Sequence, residues 1–144
     1  MSIESGEIDM SKDVLMIEDD HLTAELLSEE LSRLGISIEH QHRAVTLASA
    51  REQIRLKRPD LILLDLVLPD EAGEVLVDEA NRGDYGLEPL NIVVVSAATE
   101  LAVSISMIRH GAKSVISKPF RLNQIEEVVR KYLTLSKQYG TESG

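Results

Sequence analysis

Short apolar runs alternate along this chain with longer stretches in which apolar residues recur every three or four positions. The runs predict strands near 13–18, 36–40, 61–66, 91–96 and 114–117. The third and fourth are continuously apolar up to their last residues, the pattern of parallel strands covered on both faces. The longer stretches predict helices near 21–34, 44–57, 72–82, 99–110 and 121–137. The last is the clearest, with Ile125, Val128, Val129, Tyr132 and Leu133 forming a single apolar stripe. Gly35, just past the first helix, suits a left-handed C-terminal stop. Five successive strand–helix units joined by right-handed crossovers imply an α/β fold, a doubly wound five-stranded parallel sheet with five helices on its two faces. A single domain is expected over residues 12–138. A disordered leader over 1–11 and a disordered tail over 139–144 flank it, because both ends are polar and aperiodic.

The polar residues that end the runs converge in such a fold. Val14 to Ile17 lead into Glu18-Asp19-Asp20, Leu61 to Leu64 into Asp65, Asn91 to Val95 into Ser96, and Val115-Ile116 towards Lys118-Pro119. Open α/β sheets bind ligands outside the carboxyl ends of their strands. Carboxylates gathered there repel one another unless a cation joins them. Magnesium suits the set, being a hard ion that takes carboxylate and carbonyl oxygens and keeps waters that a phosphate can replace. Asp19 and Asp65 can each supply an oxygen, with Glu18 acting through water. An ionised Asp65 at a strand tip can also act as a nucleophile and form an acyl-phosphate. Ser96 can donate to a phosphoryl oxygen and Lys118 can pair with another, which completes the parts that phosphoryl transfer needs. Asp20 is the residue of the acidic cluster best placed to cap the following helix. Ser96 or Lys118 alone would read as structural or solvated, and their weight comes from company.

Charge and composition narrow the function classes. Fifteen Lys and Arg against 25 Asp and Glu give a formal charge of −10, which repels a phosphate backbone and argues against direct nucleic-acid binding. The absence of cysteine removes disulfides and thiolate metal sites. No apolar N-terminal stretch suggests a signal peptide or membrane span, so the expectation is a cytoplasmic protein without membrane contact. His21, His40, His42 and His110 show no ligand spacing and read as surface residues; His21 could lie near the mouth of the acidic pocket.

Together these residues resemble the receiver domains of two-component response regulators. The resemblance covers roughly residues 12 to 135 and rests on Glu18-Asp19, the run Pro59 to Pro69 around Asp65, Gly73, Ser96 and Lys118-Pro119-Phe120 in order and spacing. It implies the strand order 2-1-3-4-5, which alternation alone does not choose. It also implies that Asp65 accepts a phosphoryl group from a sensor histidine kinase or phosphotransfer protein. Magnesium would be held by Asp19, Asp65 and the backbone carbonyl of Val67, with Glu18 through water. Ser96 and Lys118 would sense the phosphoryl group, the face of the fourth helix, fifth strand and fifth helix would rearrange, and the Lys118-Pro119 peptide would be cis. The first helix would be the main kinase-docking surface.

Three positions depart from the usual pattern of that family. Val115, three before Lys118, stands where an aromatic switch residue is usual and has no ring to swing inward. Val67 and Ala98 flank the pocket where polar residues place or exclude the water that hydrolyses the acyl-phosphate. Apolar side chains at both lead to the expectation of a long-lived phosphorylated form. In the fourth helix, Leu101, Ile105 and Ile108 read as the core stripe. Val103 and Met107 then point outward, where they could form a docking or homodimer surface.

The expected function is a magnesium-dependent phosphoacceptor that signals to a separate downstream effector protein, and not an enzyme. The same chain could instead be a piece of a longer regulator, kinase or enzyme. Two further readings are a receiver-like binding module that works without phosphorylation and a magnesium-dependent aspartyl phosphohydrolase. The second usually needs another acid two residues after the nucleophile, where Val67 stands.

Overall fold

The computed structural model describes residues 6–135. Strands and helices alternate as β1 (Val14–Ile17), α1 (His21–Arg33), β2 (Gln41–Ala44), α2 (Leu47–Leu56), β3 (Leu61–Leu64), α3 (Glu74–Asn81), β4 (Ile92–Ser96), α4 (Leu101–Arg109), β5 (Ser114–Ser117) and α5 (Leu122–Tyr132). All pairings between these strands are parallel and the sheet order is β2-β1-β3-β4-β5. That is the doubly wound, flavodoxin-like arrangement expected.

The apolar runs of β1, β3 and β4 are buried throughout because these strands occupy the middle of the sheet and helices cover both its faces. Alternate residues separate into two cores. Leu15, Ile17, Ile62, Leu64, Ile92 and Val94 meet Leu47, Ala50 and Ile54 of α2, Leu76 and Val77 of α3, and Met107 of α4. Val14, Met16, Leu61, Leu63, Val93 and Val95 meet Leu27 and Leu31 of α1 and Ile125, Val128 and Val129 of α5.

The second strand departs from expectation. It lies at Gln41–Ala44 instead of 36–40, where Ile36 enters the core and Ile38–His40 form a 3-10 turn. Parallel pairing opposite Val14 begins only at Gln41, so residues 36–40 carry the chain from the end of α1 to the sheet edge. Gly35 takes the left-handed conformation expected of it (φ 102°).

The fourth helix is turned the other way round. Met107 is 3% exposed and Val103 packs on the core, whereas Leu101, Ile105 and Ile108 are 76%, 44% and 49% exposed. A nine-residue helix with apolar residues on two faces offers two candidate stripes, and the sheet beneath selects one.

The ends also differ from the expected boundaries. α5 stops at Tyr132, and Thr134 forms a bridge with Ile8. Asp9 N–H donates to the Leu133 carbonyl and Leu135 N–H to that of Glu7. Residues 7–9, expected within a disordered leader, are thus paired with the end of the fold. The expected tail at 139–144 and residues 1–5 lie outside the described residues. Among the described residues no helix is long and apolar enough to cross a membrane.

Candidate functional site

Parallel strands in register bring the ends of β1, β3, β4 and β5 to one edge, and the polar residues that follow them meet there. Asp65 extends the ladder by one bond, its N–H donating to the Ile17 carbonyl at 2.9 Å, and its side chain stays buried at the tip. The Ser96 hydroxyl donates to Asp65 Oδ1 at 2.7 Å, and Val67 N–H reaches the same oxygen at 3.1 Å. Lys118 Nζ donates to Asp65 Oδ2 at 3.1 Å and to Glu18 Oε1 at 2.6 Å. The other Glu18 oxygen accepts Asp20 N–H. Asp65, Ser96, Glu18 and Lys118 therefore form one network assembled from four strand ends.

Burial is the strongest influence on Glu18 and raises its carboxyl above the ordinary range, with the Asp65 charge adding to it against the pull of Lys118. Burial alone would lower Lys118. The hydrogen bonds and charges of Glu18 and Asp65 together outweigh it and hold the ammonium above its usual value, so the cation is kept between the two acids.

Asp19 is exposed at the rim. Glu18, Asp19 and Asp65 can each place a carboxylate oxygen within 4.8 Å of the others. Such an all-oxygen donor set at the edge of a cleft suits a hard divalent cation that keeps part of its water shell. Asp20 takes the capping role expected of it: Oδ2 accepts Thr23 N–H at 2.9 Å and the Thr23 hydroxyl at 2.7 Å.

The flanking positions are close by. Val67 is exposed at the lip and Ala98 is half-buried, its N–H donating to the Ser96 hydroxyl oxygen at 3.3 Å. Val115 lies in β5, half-buried against the first core. The Lys118-Pro119 peptide is cis. Gly73 closes the loop after Asp65 by donating to the Leu66 carbonyl at 2.8 Å. A Cβ at Gly73 would stand 2.5 Å from the Asp65 carbonyl oxygen, so glycine is required by close approach.

Two constellations escape a reading of the sequence. Asp70 joins the β3–α3 loop to the start of α2. At the opposite end of the sheet, buried Asp13 accepts from His40 Nδ1 and His42 Nε2, both at 3.0 Å on Oδ1, while Lys57 Nζ stands 3.3 Å from Oδ2. Two of the four histidines are therefore half-buried partners of a carboxylate. The only local signal is an acid placed just before a strand, at Asp13 and again at Asp60, whose Oδ2 accepts Asp13 N–H. His21 is exposed beside Glu25 and Arg43.

The response regulator receiver domain matches residues 14–130 of this chain. The transcriptional regulatory protein KdpE of Staphylococcus aureus is 30% identical over 130 residues, an alignment covering 90% of this chain and 53% of that protein. The chemotaxis protein CheY of Thermotoga maritima is 27% identical over 122 residues, covering 85% of this chain and 98% of CheY. Among solved structures, the receiver domain of NtrX from Brucella abortus superposes with a TM-score of 0.72 at 28% identity, covering 84% of this chain and 98% of that one. The chain spans about half the length of KdpE, MalR and DctR, three of the curated relatives it matches.

Proposed function

Because this chain belongs to the response regulator receiver domain family, we propose that Asp65 accepts a phosphoryl group from the phosphohistidine of a sensor histidine kinase or phosphotransfer protein. The observation that carries this reading is the environment of Asp65: a buried carboxylate with a hydroxyl on one oxygen and an ammonium on the other, beside two further acids. In the transfer an Asp65 oxygen forms a bond to phosphorus as the donor's P–N bond breaks. The bonding pair leaves with the imidazole nitrogen, and the product is an acyl-phosphate. Lys118, already held at Asp65, pairs with a phosphoryl oxygen, and Ser96 donates to another. Asp19, Asp65 and the Val67 carbonyl would hold magnesium, with Glu18 through water. The ion, when bound, would supply positive charge against the phosphoryl oxygens.

Val67 and Ala98 carry no group that can orient a hydrolytic water, so the acyl-phosphate is long-lived on this reading. Output passes to a separate effector protein or to a further domain by a change at the α4–β5–α5 face. Val115 has no ring to move there, so coupling runs through the backbone and hydroxyl contacts of the β4–α4 loop. Protein partners, not nucleic acid, fit a chain of net charge −10.

The test is intact-protein mass after incubation with acetyl phosphate, with and without magnesium, on the native chain and on Asp65→Ala. The expected result is a magnesium-dependent gain of one phosphoryl group that is absent from the variant and decays slowly. A folded native protein that gains nothing would leave a receiver that binds its partner without phosphorylation. Gain without a decay slower than that of CheY from Thermotoga maritima would remove the lifetime reading alone.

A further inference from the structure

The loop between β3 and α3 carries the Val67 carbonyl, and α2 helps to hold the middle of this loop. Its two ends are fixed by Asp65 in the ladder and by Gly73 on Leu66. Between them, Leu66 N–H donates to the Ser96 hydroxyl oxygen at 3.3 Å, and among the described residues the other side-chain hydrogen bonds that leave the loop run to α2. Asp70 Oδ1 accepts Leu47 N–H at 2.9 Å and Oδ2 accepts Ala48 N–H at 3.1 Å, so both oxygens sit on free amides of the first turn. One residue on, Glu71 takes a two-pronged bond from Arg51, at 2.7 and 3.0 Å. Arg51 is in turn fixed by Glu79 of α3, whose carboxylate also accepts the Tyr85 hydroxyl. The side-chain cap of the helix is Thr46, whose Oγ1 accepts Ser49 N–H, and Asp70 takes two further amides of the same turn from outside the helix. The Asp70 bonds therefore also place the loop against that helix end.

We propose that Asp70, backed by the Arg51–Glu71 pair, is a positioning residue that ties the β3–α3 loop to the start of α2 and so sets where the Val67 carbonyl stands for a divalent cation. The inference rests on the reading of that carbonyl as a metal ligand. Partners that orient a ligand without touching the metal commonly govern affinity through geometry, and a backbone carbonyl has no rotamer with which to recover a lost position. The bidentate Arg51–Glu71 contact adds orientation to the tether. Helix α2, which contributes no residue to the pocket, thereby becomes part of its frame.

The experiment is a calorimetric magnesium titration of the native chain, Asp70→Ala, Asp70→Asn and Thr46→Ala, with thermal unfolding recorded for each. Thr46→Ala removes a different bond at the same helix end and serves as the control for simple destabilisation. The expected result is magnesium binding weakened about tenfold in Asp70→Ala, less in Asp70→Asn, which keeps one acceptor oxygen, and unchanged in Thr46→Ala. Amide exchange at residues 66–68 should quicken in metal-free Asp70→Ala and not in Thr46→Ala. The phosphorylation rate of Asp70→Ala should return to the native value at saturating magnesium. Native-like affinity in Asp70→Ala, or an equal loss in Thr46→Ala, would overturn the proposal while leaving the phosphoacceptor reading intact. If Asp70→Ala does not fold, Asp70→Asn carries the same comparison. A native chain that binds no magnesium would remove both readings together.

Discussion

At the scale of single residues, position relative to the end of an apolar run decides what a side chain does. Lys118 illustrates the point: its ammonium stands between Glu18 and Asp65 and neutralises an acid pair that would otherwise repel. Replacing it by Met should slow phosphorylation by acetyl phosphate about a hundredfold, because the group that meets the phosphoryl charge is gone. The same change should tighten magnesium binding, since two acids lose the cation they held; calorimetry and mass spectrometry on one sample separate the two effects. Asp13 makes a pH-dependent case. Burial would raise its carboxyl, but the bonds from His42, His40 and Lys57 hold it below the ordinary carboxylate value. A depressed native value adds stability that is present above the unfolded value of about 4 and is lost as pH falls through the native one. Asp13→Asn should therefore cost about 1–3 kcal/mol at neutral pH, and the two proteins should converge in urea midpoint as the pH is lowered through the acid range. Glu18, Asp19, Asp65, Ser96 and Lys118 were legible because each is contiguous with a strand signal. Asp13 and Asp70 were not, because an acid beside a turn looks the same whether it faces water or a partner more than twenty residues away.

Elements follow their periodicity until two solutions compete. α5 has one apolar stripe and buries it, and its residues were readable at once. α4 has two, and the face that reads as core by spacing is the exposed one. Met107→Ala should cost about 2–5 kcal/mol in denaturant unfolding. Ile105→Ser should stay within about 0.5 kcal/mol as an ordinary surface change, and the reverse ranking would mean that the helix is turned as its spacing suggested. β2 shows a different kind of competition. Its strand sequence, Gln41-His42-Arg43-Ala44, carries little apolar signal because an edge strand needs less burial than a central one, while the more strand-like Ile36 to His40 is used as a connector. The loop after β3 is set by packing more than by propensity: Gly73→Ala would bring a methyl group against the Asp65 backbone. It should destabilise the fold by about 1–3 kcal/mol, as overpacking does, and a thermal unfolding midpoint equal to the native one would contradict the contact.

For the whole molecule, the proposed cation site at the acidic edge of the sheet implies that ion binding is coupled to folding. A cation bound only by the folded chain stabilises it by about 2.7 kcal/mol at a concentration one hundred times its dissociation constant. Unfolding in magnesium and in chelator should differ accordingly, with the difference much reduced in Asp19→Asn and the chelated proteins nearly alike. A shift of equal size in Asp19→Asn would mean that the ion binds elsewhere. The order of elements, their two covered faces and which polar residues stand at the strand tips were determined by the sequence alone, because a strand's burial and the residue that ends it are local facts written within a few positions. The strand order came from the family resemblance that those tips carried. Tertiary structure decided which face of α4 meets the sheet, where β2 begins, and how Ile8 and Thr134 pair. It also decided the partners of Asp13 and Asp70. Each of these depends on residues brought together through space from distant parts of the chain, and short-range periodicity holds no information about what lies across the gap.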